Sequence, residues 1–208
     1  MDGLYVTLDG AADAELTEKK SVFIGHAAHV DSEEEALLFI EEMRHKYADA
    51  RHNVYAYILK ENNIMRYSDD GEPQGSAGVP VLDVIRKSGV TDAVVVVTRY
   101  FGGILLGKGG LVRAYSSAAS LAVKAAGIVT YEPYDELEVR CDYKTYQIIK
   151  NELSKLPSVV DDIIYDADIT VKFALPAAYT APFAEKVSEI SAGRCIVKKT
   201  GERLGAKI

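Results

Sequence analysis

The chain has 208 residues, 48% hydrophobic and 26% charged, and a net charge of −7 at neutral pH. That length suits one large or two small domains, and the composition excludes disordered and collagen-like classes. The acidic balance excludes sequence-blind nucleic-acid binding over the whole surface but not a local basic site, and no apolar run reaches the ~20 residues of a membrane span.

The opening Met1-Asp2-Gly3-Leu4 lacks the basic and apolar regions of a signal peptide, and two cysteines, Cys141 and Cys195, suit a reducing compartment. A cytoplasmic chain is therefore expected. Residues 21–30 read as a strand, preceded by Lys19-Lys20. Ser32 and Glu35 have capping-box spacing, and Leu37, Ile40 and Met43 give the following helix an apolar face as far as Tyr47. Residues 54–60 and 64–68 are strands around a turn at Asn62-Asn63, and residues 69–78 are loop. Residues 79–88 form a short helix with Pro80 in its first turn and Gly89 beyond its end.

Four consecutive valines, Val94 to Val97, read as a strand covered on both faces. The chain then runs through Arg99-Tyr100-Phe101-Gly102-Gly103, Ile104-Leu105-Leu106 and Gly107-Lys108-Gly109-Gly110 into a helix expected from Leu111, with Gly127 past its end. The expected order is three strands, with a helix between the first two, then helix, strand and helix. Pro133 reads as a hinge between domains 1–133 and 134–208. Beyond it, a strand at Leu137, Val139 and Cys141 leads into a helix over 143–156 that Pro157 stops. Strands at 159–165 and 169–175, a helix over 178–191 and a last strand at 194–199 complete a strand-helix-strand-strand-helix-strand order. That order is ferredoxin-like.

Gly102, four residues, Gly107 and Lys108 fit the G-x-x-x-x-G-K of a phosphate loop between strand and helix, but Gly109 stands where a magnesium-holding hydroxyl belongs. Two readings remain open. Gly102, Gly103, Gly107, Gly109 and Gly110 serve tight turns and close packing, or they present backbone N–H groups to an anion, with Lys108, Arg99 and Arg113 supplying charge. Asp69, Asp70 and Glu72 have the chemistry to hold magnesium or calcium but not the spacing of a calcium loop; a turn with ion pairs is the expected role. His52 is either a structural donor at a strand start or a general acid or base, because imidazole titrates near neutrality. A hydrolase triad of Ser68 or Ser76 with His52 and Asp70 can be drawn, but no nucleophile elbow supports it. Arg194, Lys198, Lys199, Arg203 and Lys207 form a basic C-terminal end, which is either a solvated edge or a nucleic-acid surface.

Ser68-Asp69-Asp70-Gly71-Glu72-Pro73, Gly75-Ser76-Ala77-Gly78, Thr98-Arg99-Tyr100-Phe101-Gly102-Gly103 and the run from Gly107 to Tyr115 occur in one order. In these motifs, and over its whole length, the chain resembles the YigZ/IMPACT family. The resemblance implies an α+β protein: an N-terminal ribosomal protein S5 domain 2-like domain, known for a left-handed crossover against the usual rule, and the smaller C-terminal ferredoxin-like domain of bacterial members. It puts His52 near the acidic loop. The family usually has Arg where Val22 stands, and a cysteine where Val54 stands, so thiol catalysis is not expected there. Eukaryotic members regulate translation in amino-acid starvation, but through an additional N-terminal partner-binding domain that this sequence does not show. A non-catalytic binding protein linked to translation through RNA or ribosome contact is therefore expected, with no metal, no cofactor and no membrane partner. The alternative is an enzyme or a binder of a phosphate-bearing small molecule, using a cleft between residues 68–73 and 102–110.

Overall fold

The computed structural model describes residues 4–207; residues 1–3, on which the leader reading falls, lie outside them. Two compact units form, Val6–Val129 and a second from Thr130 onward that also takes in Tyr5. The chain opens with β1 (Tyr5–Leu8), which sends Leu8 into the core of the first unit.

The first unit is an antiparallel sheet built from β2 (Ala12–Glu18), β3 (Ser21–His29), β4 (His52–Leu59), β5 (Ile64–Ser68) and β6 (Ala93–Tyr100), in the order β2-β3-β6-β4-β5. Three helices cover it: α1 (Glu33–Lys46), α2 (Gly78–Ser88) and α3 (Gly107–Ala126). The valines of β6 explain the layering. Side chains alternate across a strand, so Val94 and Val96 join Ala36, Ile40 and Met43 of α1, while Val95 and Val97 join Ile85 of α2 and Tyr115 and Ala118 of α3. The central strand is buried on both faces, as its composition predicts.

Two elements were not legible in the sequence. β1 is short, and β2 is made largely of Ala, Asp and Glu, residues with low strand preference. β2 becomes a strand because β3 supplies its ladder and because Ala12, Ala14 and Leu16 pack on the core. The expected four strands of this part are therefore joined by two more, β1 and β2. In α1, Ser32 Oγ accepts from Glu35 N (3.2 Å), and the Glu35 carboxylate accepts from Asp31 N (2.8 Å), one residue before the usual reciprocal partner. Leu37 is 47% exposed rather than on the buried face; Ala36 takes its place beside Ile40 and Met43.

His26 lies buried on β3. Its Nδ1 meets Asp13 Oδ1 across the β2–β3 pair at 2.7 Å, and its ring lies against Tyr47. Burial holds its pKa below the ordinary value despite Asp13, which acts in the opposite direction. A lowered folded pKa gives stability that is present above the unfolded value of about 6.5 and is lost as pH falls through the folded one. Urea midpoints measured from pH 8 to pH 5 should fall with acidity, and the fall should be shallower in His26→Gln. Parallel profiles for the two proteins would rule out this residue as the source.

The second unit contains β7 (Ile128–Cys141), α4 (Tyr143–Leu153), β8 (Val159–Tyr165), β9 (Ile169–Pro176), α5 (Ala177–Ser191) and β10 (Val197–Ala206). The strand order β10-β7-β9-β8, with every neighbour antiparallel, is ferredoxin-like. Leu137, Val139 and Phe173 of the sheet pack on Ile149 of α4 and Phe183 and Val187 of α5. Asp142 caps α4 by accepting from Thr145 N at 2.7 Å. Pro133, expected as a hinge, lies inside β7 opposite Leu204. The last strand runs over Val197–Ala206 rather than 194–199, and Arg194 stays outside it. At Gly205 a Cβ would collide with the Tyr134 ring, so the glycine allows close packing there. Cys141 and Cys195 are buried free thiols, and burial pushes Cys141 up to about 11. Among the described residues, no helix is long and apolar enough to cross a membrane.

Candidate functional site

The site grows from the loop that follows β5. The Asp69 carboxylate accepts from Gly75 N (2.8 Å), Ala77 N (3.0 Å) and Gly78 N (2.8 Å), which ties the loop to the start of α2. Asp70 takes a positive φ of 43°; its carboxylate accepts from Asn53 N at 2.6 Å, and its carbonyl oxygen lies 2.8 Å from His52 Nδ1. Gly71 follows at φ 83° against the His52 ring. These two left-handed residues turn Glu72 inward, where it is 8% exposed.

Glu72 is the centre of the site. It accepts from Arg99 Nη1 of β6 and, at 2.8 Å, from the Tyr115 hydroxyl of α3. Its Oε1 is 3.9 Å from His52 Nε2. Burial, reinforced by the charge and hydrogen bond of Glu72, raises the Tyr115 pKa well above its ordinary value and keeps the phenol a donor. Arg99 is 6% exposed, and its guanidinium lies 5.3 Å from the Phe23 ring centre and 5.5 Å from that of Phe101. Its Nε–H is buried without a hydrogen-bond partner among the described residues. Buried polar groups are nearly always paired, so such an atom calls for an explanation.

α3 begins at Gly107, not at Leu111. The loop is therefore residues 101–106, and Lys108, Gly109 and Gly110 lie in the first helical turn. Three glycines in four residues depress helix preference, which moves the apparent start downstream in the sequence. Packing overrides it, because Leu106 and Leu111 are both buried around that turn. Leu106 occupies the N-cap position with no side-chain cap, so no side chain takes up the first N–H groups of α3 there.

A cavity of about 330 Å³ opens at this helix start. Arg51, His52, Glu72, Arg99 and Lys108 line its polar side. Phe101, Leu105 and Pro73 contribute apolar wall. The fold thus brings His52, Glu72, Arg99, Gly107 and Lys108 together. Asp69 and Asp70 brace the loop without lining the cavity, and Gly102 and Gly103 belong to the 101–106 loop. Arg113 is on the other flank of α3, in a separate hollow with Lys19 and Gly110. Sequence reading missed Arg51, Tyr115 and Phe101; the adjacency of Arg51 to His52 was the available signal. The drawn hydrolase triad does not form. Ser76 Oγ donates to Pro73 O, Ser68 Oγ accepts from Asp70 N, and His52 meets the carbonyl of Asp70 rather than its carboxylate.

In the basic C-terminal end, two of the five cations are committed to carboxylates. Pairing of β10 with β7 brings Lys199 to within 2.6 Å of Asp135 and places Arg203 3.7 Å from Glu136. Lys199 also meets Glu202 at 2.6 Å, Arg203 meets Asp161 at 2.8 Å, and Arg194 Nε donates to Ser191 O. Lys198 and Lys207 have no ion pair among the described residues. The same holds for Arg51, Lys108, Arg113, Lys19 and Lys20 around the start of α3.

Comparison with known proteins places these features in a wider set. Residues 19–123 match the model of the Impact N-terminal domain, and residues 139–194 match a domain of unknown function, DUF1949. The chain is 36% identical over 196 residues to "IMPACT family member YvyE" of Bacillus subtilis (strain 168), covering 94% of this chain and 90% of that protein. It is 38% identical over 178 residues to "IMPACT family member YigZ" of Escherichia coli (strain K12), covering 84% and 87%. A solved chain described as "Crystal structure of an hypothetical protein" superposes with a TM-score of 0.60 at 33% identity, over 97% of this chain and 99% of that one.

Proposed function

The chain belongs to the IMPACT family, and we propose that it is a non-catalytic cytoplasmic binding protein, linked to translation, that holds a phosphate-bearing ligand at the start of α3. One observation carries the reading. Arg51 and Lys108, neither ion-paired among the described residues, line one cavity with the uncapped first turn of a twenty-residue helix. The one carboxylate in that lining, Glu72, is already neutralised by Arg99. Cations next to free backbone N–H groups at the positive end of a helix favour an anion of phosphate type. Gly109 supplies no hydroxyl to hold magnesium beside the anion. The C-terminal basic residues support a ribosome or RNA contact less well, because Lys199 and Arg203 are committed to carboxylates.

Inorganic phosphate or sulfate should raise the melting temperature of the protein. Lys108→Ala should weaken anion binding by roughly 1–3 kcal/mol, the range for hydrogen bonds to charged groups. It should leave the melting temperature without anion nearly unchanged, because an exposed lysine contributes little. Equal anion stabilisation of parent and variant would overturn the reading. So would a variant that melts many degrees lower with no anion present, since the lysine would then be structural.

A further inference from the structure

We propose that the ligand is a strand of single-stranded RNA, which crosses the start of α3 and places phosphates in both the cavity above and the hollow on the opposite flank. This rests on the phosphate-binding reading and extends it. The hollow has a volume of about 250 Å³ and is lined by Lys19, Arg113, Gly110 and Ser117, with Glu18 at its side. Leu106, at the start of α3, lines both spaces. Together they present Arg51, Lys108, Lys19 and Arg113, none ion-paired among the described residues, on a chain whose net charge is −7. The buried Arg99, with its unpartnered Nε–H, lies in the wall of the first.

Three further features fit a polymer better than a single phosphate. Lys19 and Lys20 form the two-residue turn between β2 and β3, closed by the Glu18–Ser21 pair, and both have left-handed backbones (φ 45° and 66°). Such turns prefer Asn-Gly, and strained residues of this kind cluster at functional sites. Gly102, which has no Cβ, packs on the Lys20 backbone and donates its N–H to Ser21 Oγ, fixing the lysine turn beside the 101–106 loop. On that loop Phe101 is 45% exposed and Leu105 84% exposed. An exposed aromatic ring beside a cationic path is the arrangement on which single-stranded bases stack. A mononucleotide fills one of the two spaces, whereas a strand engages both, with a base on the ring in the wall of the first.

Fluorescence anisotropy with uridine oligoribonucleotides of increasing length, competed by uridine monophosphate and by inorganic phosphate, tests this. Affinity should rise clearly from the mononucleotide to a short oligomer and fall steeply with salt. Lys19→Ala with Arg113→Ala should weaken oligomer binding about tenfold, shallow its salt slope by up to about 1.4, and leave phosphate binding in the first cavity unchanged. Phe101→Ala should weaken oligomer binding more than it weakens phosphate binding. An oligomer that binds no better than the monophosphate, or equally well to the Lys19/Arg113 variant, overturns the strand while the phosphate site stands. So does tighter binding to anionic lipid vesicles than to RNA. If neither phosphate nor oligomer binds, the underlying reading fails with it.

Discussion

Gly102→Ala should destabilise the protein by about 3 kcal/mol or more, at the upper end of overpacking costs. A Cβ at this position would run into the backbone carbonyl of Lys20 and the backbone nitrogen of Ser21. Neither neighbour is a side chain that can rotate away. Lys20 is held in the β2–β3 turn, and Gly102 is held by the hydrogen bond from its N–H to Ser21 Oγ at 3.2 Å. The matched control is Gly103→Ala. No atom lies within 4 Å of a Cβ there, and only the positive φ of 82° is strained. That strain costs about 1–2 kcal/mol. Urea denaturation of the two variants should therefore give clearly separated midpoints. Equal losses would mean that the loop and the lysine turn do not make this close approach.

Glu72→Ala should cost about 3–5 kcal/mol, the loss typical when one partner of a buried ion pair is removed. The side chains of Glu72 and Arg99 are only 4% and 7% exposed. Removing the carboxylate leaves the guanidinium uncompensated and strips the Tyr115 hydroxyl of its acceptor. The pair is itself weak evidence of net stabilisation, because desolvation offsets much of its attraction. Replacing both partners, as Glu72→Leu with Arg99→Met, should therefore recover a large part of the loss. Chemical denaturation of Glu72→Leu, Arg99→Met and the double variant measures the coupling. A Glu72→Ala variant within about 0.5 kcal/mol of the parent, as at an ordinary surface position, would contradict the buried geometry.

The phosphate-loop pattern illustrates how far the motif could be read. Its spacing correctly placed a glycine-rich turn between a core strand and a helix, and in the fold Lys108 and Arg99 line one cavity. It misplaced the helix start by four positions, from Gly107 to Leu111, and it joined Arg113 to the wrong flank. Glycine preference is a local quantity, whereas the start of α3 is set by burying Leu106 and Leu111 in a core made by distant segments.

What the sequence by itself determined are the features whose physics is local. The four valines of β6 serve two cores because side-chain direction alternates along any strand. Ser32 stops α1 at its N-terminus because its hydroxyl reaches a backbone N–H three residues on. The motifs around Ser68, Thr98 and Gly107 identify the family, and the order of elements identifies the ferredoxin-like unit. The tertiary structure decided the rest, starting with β2, whose alanines and acids become a strand only beside β3. It also decided which charges are free. Lys108 and Lys199 look alike in the chain, yet Lys199 meets Asp135 and Glu202 while Lys108 lines a cavity. Glu72 finds Arg99 at a separation of 27 residues, and Arg203 finds Asp161 at 42. Charge compensation acts through space over a few ångströms, so spacing along the chain does not carry it.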